Sequence, residues 1–136
     1  SMDIGEIKKN SEEAFIFFVL YICAQDQIID DLEIKRLKKN LLICRNIHFD
    51  KFNKTPDGVF DEVVEKIARF FNGSGIRLCN KYISDEEKEI ISNLIDNQII
   101  QELSLITAIE AASADGFHEI ENIKYRYWNK LWSKHL

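Results

Sequence analysis

The sequence predicts an all-α fold, a single helical bundle of about six helices that spans residues 1–136. Proline occurs once and glycine five times, so few residues interrupt helices. Apolar residues recur at helical spacing, for example between Val59 and Phe71. A chain of 136 residues has the usual size of one domain with its own core.

Cap residues and apolar stripes place the helices along the chain. The first is predicted from its N-cap Ser11 to about Ala24, and the second begins at Asp30. The others are predicted at about 55–73, 84–96, 98–114 and 118–132, with 76–83 ambiguous. The first helix is apolar on all sides, which is typical of a central helix surrounded by neighbours. In the last helix the predicted inward side consists of Ile120, Ile123, Tyr127, Leu131 and Trp132.

Cysteine usage and hydropathy predict a cytoplasmic protein that does not insert into a membrane. Cys23, Cys44 and Cys79 are odd in number and widely spaced, which favours reduced and mostly buried thiols. The longest apolar run, residues 14–24, has eleven residues. A membrane-spanning helix needs about 20.

The net charge of −5 makes nucleic acid an unlikely class of partner. One basic block, residues 34–56, holds seven basic residues and one acid, and it leaves RNA binding open as a hypothesis. The more common role of such a block is a solvated helix face beside acidic neighbours.

A helix–acidic turn–helix unit occurs twice, at residues 16–37 and 105–132. In each copy an alanine-containing apolar helix ends at an aspartate, Asp26 or Asp115, and acids open the next helix. One gap aligns Glu33 with Glu121. The repetition predicts a duplicated helix pair related by a pseudo-twofold axis.

These residues resemble the TerB-like family, named after tellurite resistance protein B. Ala112-Ser113-Ala114-Asp115-Gly116, followed by Glu119 and Glu121, matches the family's signature, whereas Gln25-Asp26-Gln27 departs from it in the first copy. The resemblance implies an all-α bacterial protein linked to stress responses, with acidic residues proposed to bind metal.

The acids of both turns are therefore the candidate metal ligands. They are Asp115, Glu119, Glu121, Asp26, Asp30, Asp31 and Glu33. An aspartate at a helix C-terminus is disfavoured by roughly 0.3–1 kcal/mol, which a cation would reverse. Oxygen ligands favour Ca²⁺ or Mg²⁺ as the cation, although neither turn fits an EF-hand. The competing interpretation is structural, because such acids commonly cap helices.

No catalytic motif stands out, so the sequence favours a non-enzymatic domain. The leading hypothesis is a stress-response domain that binds a divalent cation or a protein partner through its acidic turns. The alternative is an immunity (antidote) protein that covers a toxin such as a basic nuclease, because an acidic protein is steered towards a basic one.

Overall fold

Six α-helices and a short 3₁₀ turn form the computed structural model, which describes residues 6–24, 31–48, 56–73 and 81–133. Side chains are described there except at 44–48, 56–60, 72–73 and 115. The helices are α1 (Glu12–Cys23), α2 (Asp31–His48), α3 (Pro56–Gly73), α4 (Asp85–Leu94), α5 (Gln98–Ala112) and α6 (Glu119–Trp132). No strand occurs among the described residues, which confirms the all-α prediction. The pseudo-twofold relation stays a prediction.

Helix α1 lies at the centre of the bundle. Its N-cap Ser11 accepts a hydrogen bond from the backbone of Ala14 at 3.2 Å, and every residue from Ala14 to Ala24 is buried. The helix packs against α2, α3, α5 and α6, which explains why it is apolar on all sides. Its twelve residues span only about 18 Å. Among the described residues, no helix is both long and apolar enough to cross a membrane.

Aromatic side chains connect α1 to its neighbours on two sides. Phe17 lies 4.7 Å from the ring of Phe71 on α3, measured between centroids. Phe18 lies 4.8 Å from Trp132 and 6.4 Å from Trp128 on α6. The tryptophans of α6 therefore belong to the core, as their helical spacing predicts, and not to an exposed surface for stacking bases.

The buried face of α6 differs from the predicted one. Glu121, Lys124, Trp128 and Trp132 are buried, at spacings of three and four residues. The predicted stripe is correct at Trp132, but its other four residues are only half-buried. The predicted stripe omitted Glu121 and Lys124 because the periodicity of apolar residues does not identify buried charged ones.

Helix α5 also differs from its prediction, at its C-terminal end. It ends at Ala112 instead of Ala114, and a 3₁₀ turn, Ser113–Asp115, follows. Gly116 then adopts φ of 102°, a conformation that L side chains rarely adopt, so this turn requires glycine. Ile106 is 60% exposed, whereas Leu105, Ala108 and Ala111 are buried.

Asn10 joins the start of α1 to the connection between α4 and α5. It adopts φ of 59°, which asparagine tolerates better than most residues. Its side-chain oxygen accepts from the backbone of Asp96 and Asn97, and its amide donates to the Asp96 carboxylate at 2.7 Å. This hydrogen bond and the nearby Lys9 hold the pKa of Asp96 below its usual value. Asn10 therefore links the start of α1 to the connection between α4 and α5.

Candidate metal centre

The predicted metal ligands differ in how deeply they are buried. Glu33 and Glu121 are buried, with 4% and 0% of their surface exposed. Asp31 and Glu119 are exposed, and Glu119 forms an ion pair with Lys81 at 3.5 Å. The side chains of the other three, Asp26, Asp30 and Asp115, lie outside the described part of the chain. The two acids that the sequence repeat aligns with each other are thus the two that are buried among the four whose side chains the structure describes.

Glu33 and Glu121 meet at Cys23 in the interior of the bundle. One ligand atom from each of the three side chains lies within 4.8 Å of the other two. All three side chains are buried, Cys23 with 1% exposed. We call these three residues the Cys23 centre.

Helix ends bring the Cys23 centre together. Cys23 is the last residue of α1, and its thiol contacts the carbonyl oxygen of Ala108, near the end of α5, at 3.9 Å. Glu33 is the third residue of α2 and Glu121 the third residue of α6. Carboxylates are stabilised at helix N-termini, where the macrodipole is positive. Two such starts therefore deliver two carboxyl groups to one buried point.

Glu121 also caps its own helix. Its Oε1 accepts a hydrogen bond from the backbone N–H of His118 at 3.0 Å, which is one half of a capping box. The structural role predicted for the acids is thus confirmed for Glu121. Capping uses one carboxylate oxygen and is compatible with a ligand role for the other.

A buried basic residue, Lys124, lies about one helical turn after Glu121 on α6. Lys124 is the only basic side chain that is buried among the described residues. Its Nζ lies 4.3 Å from the ring centroid of Tyr21, a cation–π contact. The hydroxyl of Tyr21 donates to Glu87 Oε2 at 2.8 Å. Burial raises the pKa of Tyr21 well above its usual value, and the negative charge of Glu87 raises it further.

The buried charges are strongly unbalanced in sign. Four glutamates are buried among the described residues, against the single Lys124. They are Glu12, Glu33, Glu87 and Glu121. A buried carboxylate costs several kcal/mol unless nearby positive charge or hydrogen bonds compensate it. Two of the four have such partners in the hydroxyl of Tyr21, which donates to Glu87, and the backbone N–H of His118, which donates to Glu121.

The spacing of the Cys23 centre is close to that of a coordination shell. Ligand atoms bound to one tetrahedral metal at about 2.0–2.3 Å lie about 3.5 Å from one another. The ligand atoms of the Cys23 centre, which lie within 4.8 Å of one another, are thus near this spacing.

Sequence reasoning missed Cys23 as part of this centre. The thiol stands in the most apolar helix, where a cysteine is usually inert. The available signal was its position, since Cys23 precedes the first acidic turn directly. Lys124 was missed for a related reason, because a lysine on an amphipathic helix is normally exposed.

The described part of the basic block is a surface with acidic neighbours. Arg36 pairs with Glu110 at 3.6 Å, and Lys38 forms an ion pair with Asp61. Lys35 and Lys39 are exposed. These four residues fit the solvated face that the sequence favoured over an RNA site.

Comparison with protein-family models, with curated proteins and with solved structures finds no match to this chain. The TerB-like resemblance therefore rests on the motif around Asp115 and on the repeated acidic turn, and it stays a prediction.

Proposed function

We propose that the chain is a non-enzymatic, cytoplasmic helical domain of the bacterial stress-response type that binds a divalent cation. The ligands are Cys23, Glu33 and Glu121, contributed by the end of α1 and the starts of α2 and α6. The convergence of their ligand atoms within 4.8 Å carries this proposal. The proposed ligands differ from those of the sequence hypothesis, because the exposed Asp31 and Glu119 are not among them.

The burial of two carboxyl groups and a thiol at one point supports the same function. A divalent cation at the Cys23 centre offsets the charges of Glu33 and Glu121 where water cannot screen them. Binding then stabilises the folded chain, because the unfolded chain has no preformed site.

Calorimetric titration of chelator-treated protein with Zn²⁺, Mn²⁺, Ca²⁺ and Mg²⁺ tests this function. We expect saturable binding of at least one of these ions and a rise in melting temperature at saturating ion. Glu33→Gln should weaken binding by about tenfold or more, since a neutral amide replaces an anionic ligand.

Asp31→Asn is the matched control, because it neutralises an exposed acid two residues away on the same helix turn. It should leave the affinity unchanged. If no ion produces heat or a thermal shift, or if Asp31→Asn weakens binding as much as Glu33→Gln, the Cys23 centre is not a cation site.

Exposed apolar side chains favour protein binding as a second candidate function, compatible with the stress-response and the immunity hypotheses. Ile43 on α2 and Ile106 on α5 are 59% and 60% exposed. Ile106 also lines an open groove of about 390 Å³ with Arg36 and Glu110. Large exposed apolar side chains beside a groove are typical of partner sites.

Replacement of Ile106 by aspartate tests this second candidate. The tagged wild-type chain should retain a protein from a lysate of its source cells, and Ile106→Asp should lose it because a charge is then desolvated in the interface. Tyr82→Asp, at a residue that is 81% exposed elsewhere, is the control. If the wild type, Ile106→Asp and Tyr82→Asp all retain the same partner equally, the groove is not the binding site of that partner.

A further inference from the structure

The ligand set of the Cys23 centre is unusual for the hard cations Ca²⁺ and Mg²⁺. One of its three groups is a thiol, which these ions do not prefer as a ligand. Ca²⁺ takes about six to eight oxygen ligands, and the two carboxylates supply at most four. One of those four already accepts the N–H of His118. Mg²⁺ requires about six oxygens in octahedral geometry and retains several waters, which a buried point holds poorly.

Zn²⁺ fits the same three groups. It binds thiolate, carboxylate and imidazole ligands in a tetrahedron, and sites with three protein ligands complete it with one water. Each of the three side chains is more than nine-tenths buried, and their ligand atoms converge.

The charges also suit a thiolate with a divalent ion. Cys23 as thiolate with Glu33 and Glu121 carries three negative charges, and a divalent ion cancels two. Lys124 is buried three residues after Glu121 on the same face of α6, with its Nζ over the ring of Tyr21.

We propose that the Cys23 centre binds a thiophilic divalent cation of the Zn²⁺ class, with Cys23 as a thiolate ligand, and discriminates against Ca²⁺ and Mg²⁺. This proposal rests on the cation binding proposed above and names the class of ion. On binding, the S–H proton leaves to solvent and a sulfur–metal bond forms, with no change of oxidation state.

Co²⁺ is the spectroscopic probe for this proposal, because it occupies Zn²⁺ sites and its thiolate bond absorbs light by charge transfer. We expect the chelator-treated full chain to bind Co²⁺ with a charge-transfer band. Zn²⁺ should abolish the band, whereas a thousandfold excess of Ca²⁺ or Mg²⁺ should leave it intact. Cys23→Ser should remove the band and weaken Zn²⁺ binding on the order of a hundredfold.

Ile16→Val is the control for Cys23→Ser, because it perturbs the same buried helix about two turns away. It should keep the band. Co²⁺ binding without a charge-transfer band, or displacement of Co²⁺ by Ca²⁺ or Mg²⁺, overturns the assignment of ion class and leaves cation binding standing. If none of these ions binds the wild-type chain, both proposals fail. The wild-type spectrum and competition decide the class of ion even if Cys23→Ser does not fold.

Discussion

Truncation of Trp128 to alanine is expected to lower the free energy of unfolding by about 3–5 kcal/mol. Trp128 has no exposed surface and is the largest fully buried side chain among the described residues. Its ring contacts Tyr127 and Trp132, at centroid distances of 5.0 and 5.3 Å, and Phe18 on α1. The variant therefore loses apolar burial and three ring contacts, and it leaves a cavity between α6 and α1.

Urea denaturation followed by far-ultraviolet circular dichroism measures this loss. A domain of this size has about 5–15 kcal/mol of stability in total, so the variant should unfold at much lower urea concentration. Tyr82→Ala is the control, since Tyr82 is 81% exposed, and it should change stability by about 0.5 kcal/mol or less. A loss below about 1.5 kcal/mol for Trp128→Ala would contradict the packing of α6 on α1.

The central position of α1 could be predicted because its signal is local. A run of apolar residues after Ser11, Glu12 and Glu13 permits only a buried helix, and each residue from Ala14 to Ala24 is indeed buried. The orientation of α6 could not be predicted in the same way. Its burial depends on contacts beyond the helix itself, because Lys124 lies against the ring of Tyr21 on α1 and Glu121 accepts from the backbone of His118.

The same limit applies to the candidate site. The sequence repeat aligns Glu33 with Glu121, and the two acids do converge in the folded chain. However, Glu33 is buried while Asp31 is exposed, and Glu121 is buried while Glu119 is exposed. The two acids of each pair nevertheless lie in the same helical turn. Which face of a first turn points inward depends on tertiary packing. Local sequence rules thus fail where buried polar residues cluster, which is where functional sites are expected.

Replacement of Tyr21 by phenylalanine is expected to lower stability by about 1.5–3 kcal/mol at pH 7, measured by urea denaturation of chelator-treated protein. The hydroxyl of Tyr21 donates to Glu87 at 2.8 Å, and Glu87 is only 2% exposed. The variant keeps the ring and its contact with Lys124 but removes the donor to a buried carboxylate. Tyr125→Phe, at a half-buried residue of α6, is the control and should cost less.

Alkaline pH should narrow the difference in the free energy of unfolding between Tyr21→Phe and the wild type. The pKa of Tyr21 is raised in the folded state by burial and by Glu87, so above pH 10 the unfolded chain loses this proton while the folded chain keeps it. Wild-type stability therefore falls with rising pH, by about 1.4 kcal/mol for each unit above the unfolded pKa. Phenylalanine has no proton to lose, and other groups contribute equally to both chains. The stability difference measured at pH 7 should consequently shrink between about pH 10 and 12, and a constant difference would mean that Tyr21 ionises as readily in the folded chain as in the unfolded one.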